Sequence, residues 1–196
     1  MLYAKNIFLL FLILTSHVLC SQAITSNDLE YRKGQYYLKG ESIPFTGKIT
    51  DNYISGKLKL TKNYTDGMLN GEYDEWWENG KKKYEGGYNN NKLDGKFVSY
   101  YESGQVEKKG KMVNTKKEGQ FFSWYENGLQ ESAGNYKNGQ KDGVWIEWYE
   151  NGKKLSEGKY VNGKEDDIWV WWDEDGNKQY EEQYANGILI KSIEIQ

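Results

Sequence analysis

Acidic side chains come nearest to a chemical site in this sequence. The densest cluster consists of Glu165-Asp166-Asp167 and Asp173-Glu174-Asp175-Gly176-Asn177. Its Asp-x-Asp-Gly-Asn run is similar to the start of a calcium-binding loop, but no acidic residue follows at the spacing that closes such a loop. The run also occupies the ordinary turn position of a repeat, so we predict no metal site there.

Histidine and cysteine each occur once, as His17 and Cys20, near the start of the chain. The residues after Cys20 therefore contain no imidazole base, no thiol nucleophile, no nitrogen or sulfur ligand for zinc and no cysteine pair. The glycines recur at turn positions and form no phosphate-binding loop. We predict a protein that is not an enzyme, with no catalytic residue, metal or cofactor. An enzyme that acts through carboxylates alone is the weakest of three functional interpretations.

The overall charge argues against a nucleic-acid partner. The chain has 26 lysine and arginine residues against 29 aspartate and glutamate residues, a net charge of −3. Its lysines are scattered, and short runs such as Lys81-Lys82-Lys83 are explained as solvated strand positions. Nucleic-acid binding needs a sustained basic surface, so we expect no nucleic acid. The chain has 8 tryptophans and 17 tyrosines, so buried surface should come mainly from rings.

Residues 1–20 have the pattern of an export signal. Lys5 precedes an apolar run from Ile7 to Leu14, and polar residues follow. The run is shorter than the roughly 20 apolar residues that a spanning helix needs. Cleavage after Cys20 and cleavage after Ala23 both fit the pattern, and lipidation of Cys20 fits less well than plain export. We predict an exported protein, located in the periplasm, in the cell envelope or outside the cell.

A unit of 24 residues recurs six times without insertion. Its opening residue is Gly47, Gly71, Gly95, Gly119 or Gly143, and Asp167 in the last copy; a second glycine follows nine residues later in every copy. Such a period is typical of repeat proteins, in which each unit stacks only on its neighbours. The predicted organisation is a leader at 1–20 (or 1–23), a lead-in segment at 24–46, six repeats at 47–70, 71–94, 95–118, 119–142, 143–166 and 167–190, and a closing strand at 191–196.

Each unit carries two turn signals. The first is Asn79-Gly80, Asn127-Gly128, Asn151-Gly152 or Asp175-Gly176; the second is Asp66-Gly67, Asn138-Gly139, Asn162-Gly163 or Asn186-Gly187, with Asn90-Asn91 and Asn114-Thr115 as weaker forms. The first signal favours a two-residue type I′ hairpin, whose central residues have positive φ. The segments between turns are rich in Tyr, Trp and Phe and are predicted to be strands. We therefore predict an all-β fold, an elongated single-layer antiparallel β-meander of six β-hairpin repeats.

Hairpin turns at these positions set the strand register. With the opening residue counted as position 0, paired positions should sum to 17. Phe121 should then face Gly134, Tyr73 should face Gly86, and Gly119 and Gly143 should face Tyr136 and Tyr160. A ring laid across a cross-strand glycine covers exposed backbone. Structural roles are therefore predicted for Gly71, Gly80, Gly86, Gly95, Gly104, Gly110, Gly119, Gly128, Gly134, Gly143, Gly152 and Gly158.

The predicted register divides the side chains between two faces. The glycine face carries glycines and aromatic residues at positions 0, 2, 6, 15 and 17. The second face carries glutamate at position 7 opposite lysine at position 10, as in Glu150 and Lys153. An aromatic row crosses this charged face at position 5: Trp76, Tyr100, Trp124, Trp148 and Trp172. The row is either a structural shield over the sheet or a set of hot spots for a partner.

The repeated blocks Gly-x-Trp/Phe-x-x-Trp/Tyr-Tyr-Glu-Asn-Gly-Lys and Glu-Gly-x-Tyr-x-Asn-Gly-Lys-x-Asp-Gly are clearest in residues 119–166. They resemble the MORN-repeat variant family, in particular the bacterial group known as YwqK-type antitoxins. The first and last units depart from the pattern, at Asn52 and at Asp167. The resemblance implies β-hairpin repeats without catalytic residues and a role in protein scaffolding or, less securely, phospholipid contact. The antitoxin label implies a toxin partner, although an antitoxin should act in the compartment of its toxin.

Two functional interpretations rank above the carboxylate enzyme. The first is a non-enzymatic, exported protein-interaction module or scaffold, which binds an unidentified protein partner or a second copy of itself through the aromatic row, with an antitoxin-like role as one form. The alternative is a cell-wall, glycan or phospholipid-headgroup binding module that uses the same rings. Choline-binding repeats are also aromatic hairpins, but their family expectation is a shorter unit, so we rank this alternative lower.

Overall fold

The structure is a computed structural model that describes residues 23–195. The predicted leader at 1–20 lies outside the described residues. A short 3₁₀ turn at Ser26–Asp28 precedes the strands. In chain order the strands are β1 (Leu29–Arg32), β2 (Gln35–Leu38), β3 (Gly47–Asn52), β4 (Leu58–Thr65), β5 (Met68–Trp76), β6 (Lys82–Asn89), β7 (Lys92–Leu93), β8 (Gly95–Tyr100), β9 (Val106–Val113), β10 (Lys116–Lys117), β11 (Gly119–Trp124), β12 (Gln130–Lys137), β13 (Gln140–Lys141), β14 (Gly143–Trp148), β15 (Lys154–Val161), β16 (Lys164–Trp172), β17 (Lys178–Ala185) and β18 (Ile188–Glu194).

Strands β3 to β18 form one antiparallel sheet, in which the longer strands are neighbours in the order they have along the chain. The two-residue strands β7, β10 and β13 pair only with the strand before them, and β1 and β2 form a separate two-stranded sheet. Residues 23–195 contain no α-helix, and no helix there could cross a membrane. The predicted all-β meander of hairpin repeats is confirmed.

The strand register within each hairpin agrees with the predicted sum of 17 over most of its length. Gly119 pairs with Tyr136 and Phe121 pairs with Gly134. The same pairing holds in the glycine-poor end units, where Ile49 pairs with Lys62. Side chains directly opposite each other in an antiparallel pair share a face of the sheet, so the division into a glycine face and a second face follows from these pairs.

The first turn of each unit is a three-residue loop rather than the predicted two-residue type I′ turn. In the fifth unit the N–H of Tyr149 donates to the carbonyl of Lys153 at 2.8 Å, and Gly152 donates to Tyr149 at 2.9 Å. Only Gly152 has a positive φ, +83°. Asn151 keeps a negative φ because its side-chain oxygen accepts the Lys153 N–H at 2.9 Å. The predicted opposition of Glu150 and Lys153 is therefore wrong.

The longer loop shifts the register next to it. In the fifth unit the pairing moves by one residue between Glu147 and Trp148, so Trp148 pairs with Lys154. The same shift occurs in the other five hairpins of this kind, as at Ser123 and Trp124. A bulge of this kind increases the local strand twist. It lies directly beside the aromatic row in the five units that contribute to the row; the first unit has Asn52 at this position.

The second turns are the two-residue hairpins with positive φ at both central residues. Asp66 and Gly67 have φ of +49° and +72°, and Asn114 and Thr115 have +49° and +69°. The weaker turn signals at Asn114-Thr115 and Asn90-Asn91 therefore form the same turn as the Asn-Gly pairs. Each turn also stacks on the preceding one: the N–H of Gly163, for example, donates to the carbonyl of Lys141 at 2.8 Å.

The opening glycines bend the strand instead of receiving a ring. Gly143 has φ +84°, and a Cβ placed on it would meet no atom within 4 Å, so the predicted cover by Tyr160 is wrong. Asp167, which replaces glycine in the last unit, adopts the same region with φ +65°. Positive φ also occurs at Gly71, Gly95 and Gly119. The requirement at this position is thus a backbone conformation that glycine adopts at little cost.

The rings of the glycine face cover glycines of the preceding unit. A Cβ on Gly134 would lie 2.2 Å from the indole of Trp145, not against Phe121 as predicted, and one on Gly158 would lie 2.1 Å from Trp169. Phe121 itself lies over Gly110 at 2.7 Å. Gly86 is the exception, because its nearest neighbour is the Tyr84 side chain rather than the predicted Tyr73. Each covering ring therefore joins two repeats.

A continuous series of ring contacts fills the glycine face. Consecutive ring centroids lie 4.8–6.3 Å apart along Tyr84, Phe97, Phe121, Tyr136, Trp145, Tyr160, Trp169 and Trp171. Phe121, Trp145 and Trp169 are buried, with 3–7% of their surface exposed. Contacts of this geometry add to the stabilisation from buried area. The core of this sheet is thus made by rings on one face.

The lead-in segment at 24–46 forms a cap on the first repeat. Strands β1 and β2 make a hairpin, and the N–H of Tyr36 donates to the carbonyl of Gly67 at 2.8 Å. Leu29 and Phe45 join a buried cluster with Ile49 of the first repeat. Terminal repeats usually need such a covering element, because one of their faces lacks a neighbour.

Candidate interaction surface

The aromatic row lies on the second face and is half-buried along its whole length. Its members Trp76, Tyr100, Trp124, Trp148 and Trp172 all have intermediate exposure. The buried rings Phe121 and Trp145 lie on the opposite face. The structure therefore places the five predicted residues together on one surface, with part of each ring accessible.

A second line of apolar side chains, the apolar row, runs beside the aromatic row. Its members are Val98, Phe122, Ile146 and Val170, each two residues before a member of the aromatic row and therefore on the same face. Cross-strand pairs align them: Phe122 pairs with Ala133, which pairs with Ile146. This row was not predicted from the sequence, although its residues alternate with the aromatic row along the same predicted strands. We call the two rows together the band.

Lysine side chains lie across several rings of the band. The ammonium of Lys109 is 5.1 Å from the ring centroid of Phe122 and 5.0 Å from that of Trp124. Lys82 stands 4.9 Å from Trp76 in the same way. Such stems cover apolar surface while their charges stay in water.

Paired charges surround the band. Lys82 contacts Asp74 at 2.6 Å, and Lys154 contacts Glu157 at 2.5 Å. The hydroxyl of Tyr100 donates to Glu85 at 2.7 Å. Burial, together with this carboxylate, raises the pKa of Tyr100 to about 12. Exposed pairs of this kind add little stability, but they provide a polar rim.

The backbone beneath the aromatic row is held by hydrogen bonds from the preceding unit. The hydroxyl of Tyr101 donates to the carbonyl of Trp124 at 2.8 Å. An equivalent bond occurs in all five junctions: from a tyrosine hydroxyl in Tyr53 to Trp76, Tyr101 to Trp124, Tyr125 to Trp148 and Tyr149 to Trp172, and from the indole N–H in Trp77 to Tyr100. Each bond links position 6 of one unit to position 5 of the next. The spacing of the aromatic row is therefore maintained by the repeat contacts themselves.

The glycine face offers less to a partner. Its rings are covered by each other and by lysine stems, with Lys141 standing 4.3 Å from Trp145 and 4.7 Å from Tyr160. An open cavity of about 270 Å³ on this face includes the hydroxyls of Ser123 and Ser132, which are 2.7 Å apart. The hydroxyls satisfy each other, and the cavity is also lined by Lys108, Lys117, Lys141 and Glu147.

The acidic cluster forms a turn. One carboxylate oxygen of Asp173 accepts the N–H groups of Asp175 and Asn177, each at 2.9 Å, and the other accepts Gln179 at 2.8 Å. These bonds, first that from the Asn177 backbone, lower the pKa of Asp173. Among residues 23–195 no group of three or more histidine, cysteine or acidic side chains is arranged to hold a metal ion.

The geometry of residues 23–195 defines a repeat protein with an extended aromatic surface. The sequence model of the MORN repeat variant matches three segments, residues 93–114, 141–162 and 168–186. The first two matches begin 48 residues apart (141 − 93), which is two 24-residue periods. No curated protein matches the chain. MORN repeats are a non-catalytic family generally associated with protein or membrane-lipid interaction.

Proposed function

We propose that the chain is a non-enzymatic protein-interaction module whose partner docks on the band. The observation that carries the proposal is the arrangement of half-buried Trp and Tyr side chains in one rigid row, with an apolar row beside it and paired charges around it. Trp and Tyr are the residue types most enriched at binding hot spots, and a polar rim that excludes water is their usual surrounding.

The shape of the surface indicates an extended partner. Neighbouring members of the aromatic row lie two strands apart, roughly 9.5 Å at the usual strand spacing. A partner that contacts Tyr100, Trp124 and Trp148 would therefore span three repeats. Because the rings already lie in fixed positions, binding costs little ordering entropy on this side.

A double substitution in the row tests the proposal. Trp124→Ala with Trp148→Ala should leave the β-sheet spectrum largely intact and abolish capture of the partner from the native cell envelope. The matched control is Ile54→Ala, which removes a fully exposed apolar side chain outside the band. Changing Phe121 and Trp145 should instead unfold the centre of the sheet.

Two outcomes would contradict the proposal. If the Trp124/Trp148 variant captured the same proteins as the unchanged chain, the band would not be the docking surface. If that variant were less stable than the Phe121/Trp145 variant, the row would be structural and the binding surface would have to lie on the glycine face.

Glycan or phospholipid-headgroup binding is the alternative for the same rings. Immobilised glycan, immobilised choline and anionic vesicles, each offered to the unchanged chain and to the Trp124/Trp148 variant, separate it from protein binding. If the unchanged chain binds one of these ligands and the Trp124/Trp148 variant does not, that ligand would replace the protein partner in the proposal.

The proposal includes export, on the basis of the charged start, the apolar run from Ile7 to Leu14 and the polar residues that follow. Fractionation of cells should recover the protein outside the cytoplasm without Met1. Full-length protein in the cytoplasm would contradict export and would favour an antitoxin-like role against a cytoplasmic toxin.

A further inference from the structure

The two ends of the sheet differ in how they are covered. At the first repeat, β3 is covered by the lead-in segment, whose Ile24 carbonyl accepts the N–H of Thr50 at 2.8 Å. At the last repeat, β18 pairs with β17 on one side and with no other strand among residues 23–195. The described chain thus has one capped end and one open end.

The open strand carries apolar side chains on both of its faces. All seven residues of β18 are exposed, and Ile188, Ile190 and Ile193 expose 69%, 61% and 44% of their surface. Natural edge strands are usually protected by several charges, by proline or by a bulge that turns them away. In β18 the register shifts by one residue at Ile190, and Lys191 and Glu194 are the only charged residues of the strand. The regular part of the open edge therefore runs from Lys191 to Glu194.

The hydrogen-bonding groups of the open edge can be assigned from the ladder. The N–H of Ile195 donates to the carbonyl of Gln179 at 2.8 Å, so this residue and Ile193 direct their backbone groups towards β17. Because these groups alternate along an antiparallel strand, Ser192 and Glu194 direct theirs to the open side. The open edge is therefore ready to pair with another strand.

We propose that β18 pairs antiparallel with β18 of a second copy of this chain, joining two sheets into one across a two-fold axis. Two features favour a second copy over an unrelated strand. The strand carries one positive and one negative charge, so two copies meet without a net charge. In a pairing centred on Ser192, each Lys191 lies opposite an isoleucine of the second copy and the two lysines stay apart.

The two-fold pairing also continues the apolar row. Ile193 pairs with Glu181, which pairs with Val170 of the apolar row, so Ile193 continues that row on the edge strand. In the dimer the second copy's Ile193 would lie diagonal to it, and two bands would form one surface. An isologous interface of this kind closes on itself and does not build filaments.

Sedimentation of the chain over a range of concentrations tests the proposal. We expect reversible dimers, because a single pair of strands buries less than a standard interface. Ser192→Pro should abolish dimers and keep the fold, since proline is tolerated on an edge strand where its nitrogen faces outward. Ser192→Ala, which keeps the N–H, is the matched control and should dimerise as the unchanged chain does.

Hydrogen exchange identifies the surface involved. The amides of Ser192 and Glu194 should gain protection as dimers form, while the Trp124/Trp148 variant should dimerise normally. Ile193→Lys, which leaves the backbone unchanged, provides a second test if Ser192→Pro weakens the fold, and it should also give monomers. A monomeric unchanged chain at several hundred micromolar, or dimers that persist in Ile193→Lys, would overturn the proposal without bearing on the band.

Discussion

The indole of Trp145 lies directly on Gly134 of the preceding repeat, where a Cβ would be 2.2 Å from two of its ring atoms. Its Nε1 crosses the glycine and donates to the carbonyl of Asn135 at 3.0 Å. One side chain therefore covers exposed backbone, joins two repeats and satisfies its own polar atom. Trp169 repeats the arrangement over Gly158, donating to Lys159 at 3.2 Å.

Gly134→Val should be strongly destabilising. The branched side chain would displace the Trp145 indole, and overpacking of this kind costs about 1–3 kcal/mol of unfolding free energy. Glu126→Gln, an exposed turn substitution in the same repeat, should change it by well under about 1 kcal/mol. Denaturant unfolding measures both, and equal stabilities of the two variants would contradict the cover of Gly134.

A double-mutant cycle identifies the covering ring. Gly134→Ala should cost less in a Trp145→Leu background than in the unchanged chain, because the clash is with the indole. In a Phe121→Leu background its cost should be unchanged. Coupling to Phe121 instead of Trp145 would mean that the ring of the same hairpin covers this glycine.

Gly143→Ala should be more destabilising than Gly143→Asn. Gly143 has φ +84° with open space around a Cβ, so conformation rather than packing decides the cost, which should be about 1 kcal/mol for alanine. Asparagine tolerates this region better, as Asp167 does at the same position of the last unit. Thermal unfolding of the two variants provides the measurement, and the opposite ranking would refute a conformational requirement.

Tyr125→Phe should lower the unfolding free energy by about 1 kcal/mol, since it removes the hydroxyl that donates to the Trp148 carbonyl at 2.6 Å. The variant should leave the sheet intact. Tyr31→Phe is the control, because Tyr31 lies in β1, outside the repeats, and is 62% exposed. Chemical denaturation compares the two, and equal effects would show that the bonds between repeats contribute nothing specific.

Stability should fall as the pH rises from about 10 to about 12. Burial, with Glu165 and Glu147 adding to it, raises the pKa of Tyr160 to about 12, and burial raises that of Tyr84 to about 12. An unfolded tyrosine has a pKa of about 10, so the folded chain holds more protons in this window. The two neutral tyrosines therefore contribute their full stabilisation to the unfolding free energy below about pH 10, and this stabilisation is lost as the pH rises through their folded pKa.

Tyr160→Phe isolates this effect from lysine deprotonation. The variant should lose less stability than the unchanged chain between about pH 10 and about pH 12, because one group no longer titrates. Denaturation midpoints across that range give the comparison. Identical slopes for the two proteins would contradict a buried, neutral Tyr160.

Much of the fold could be predicted from the residues because the repeat constrains it several times over. A fixed 24-residue period, two turns per unit and rings that alternate with glycines require the same register in every copy, and Phe121 does pair with Gly134. The two faces follow from that register, since side chains alternate along a strand. The aromatic row could be listed for the same reason.

Turn type was not decided by the turn residues alone. The Asn-Gly pair at Asn151-Gly152 and the one at Asn162-Gly163 are identical dipeptides, yet only Asn162 takes positive φ. The side chain of Asn151 donates to the carbonyl of Glu174 in the next unit at 2.9 Å. The three-residue loop is thus accompanied by a contact between repeats, and the identity of the turn dipeptide gives no information about that contact.

The sequence by itself determined the period, the all-β class, the register away from the first turn of each unit and the face on which each ring of the aromatic row lies, because these depend on spacing along the chain. Tertiary structure alone decided which ring covers which glycine, that residues 24–46 form a cap and that β18 has only one neighbouring strand among residues 23–195. The ring cover depends on which of two neighbouring strands a side chain leans towards. The cap and the free edge of β18 depend on whether another strand lies beside the end of the sheet. Strand twist and packing between units determine these contacts, and residue spacing within one unit does not predict them.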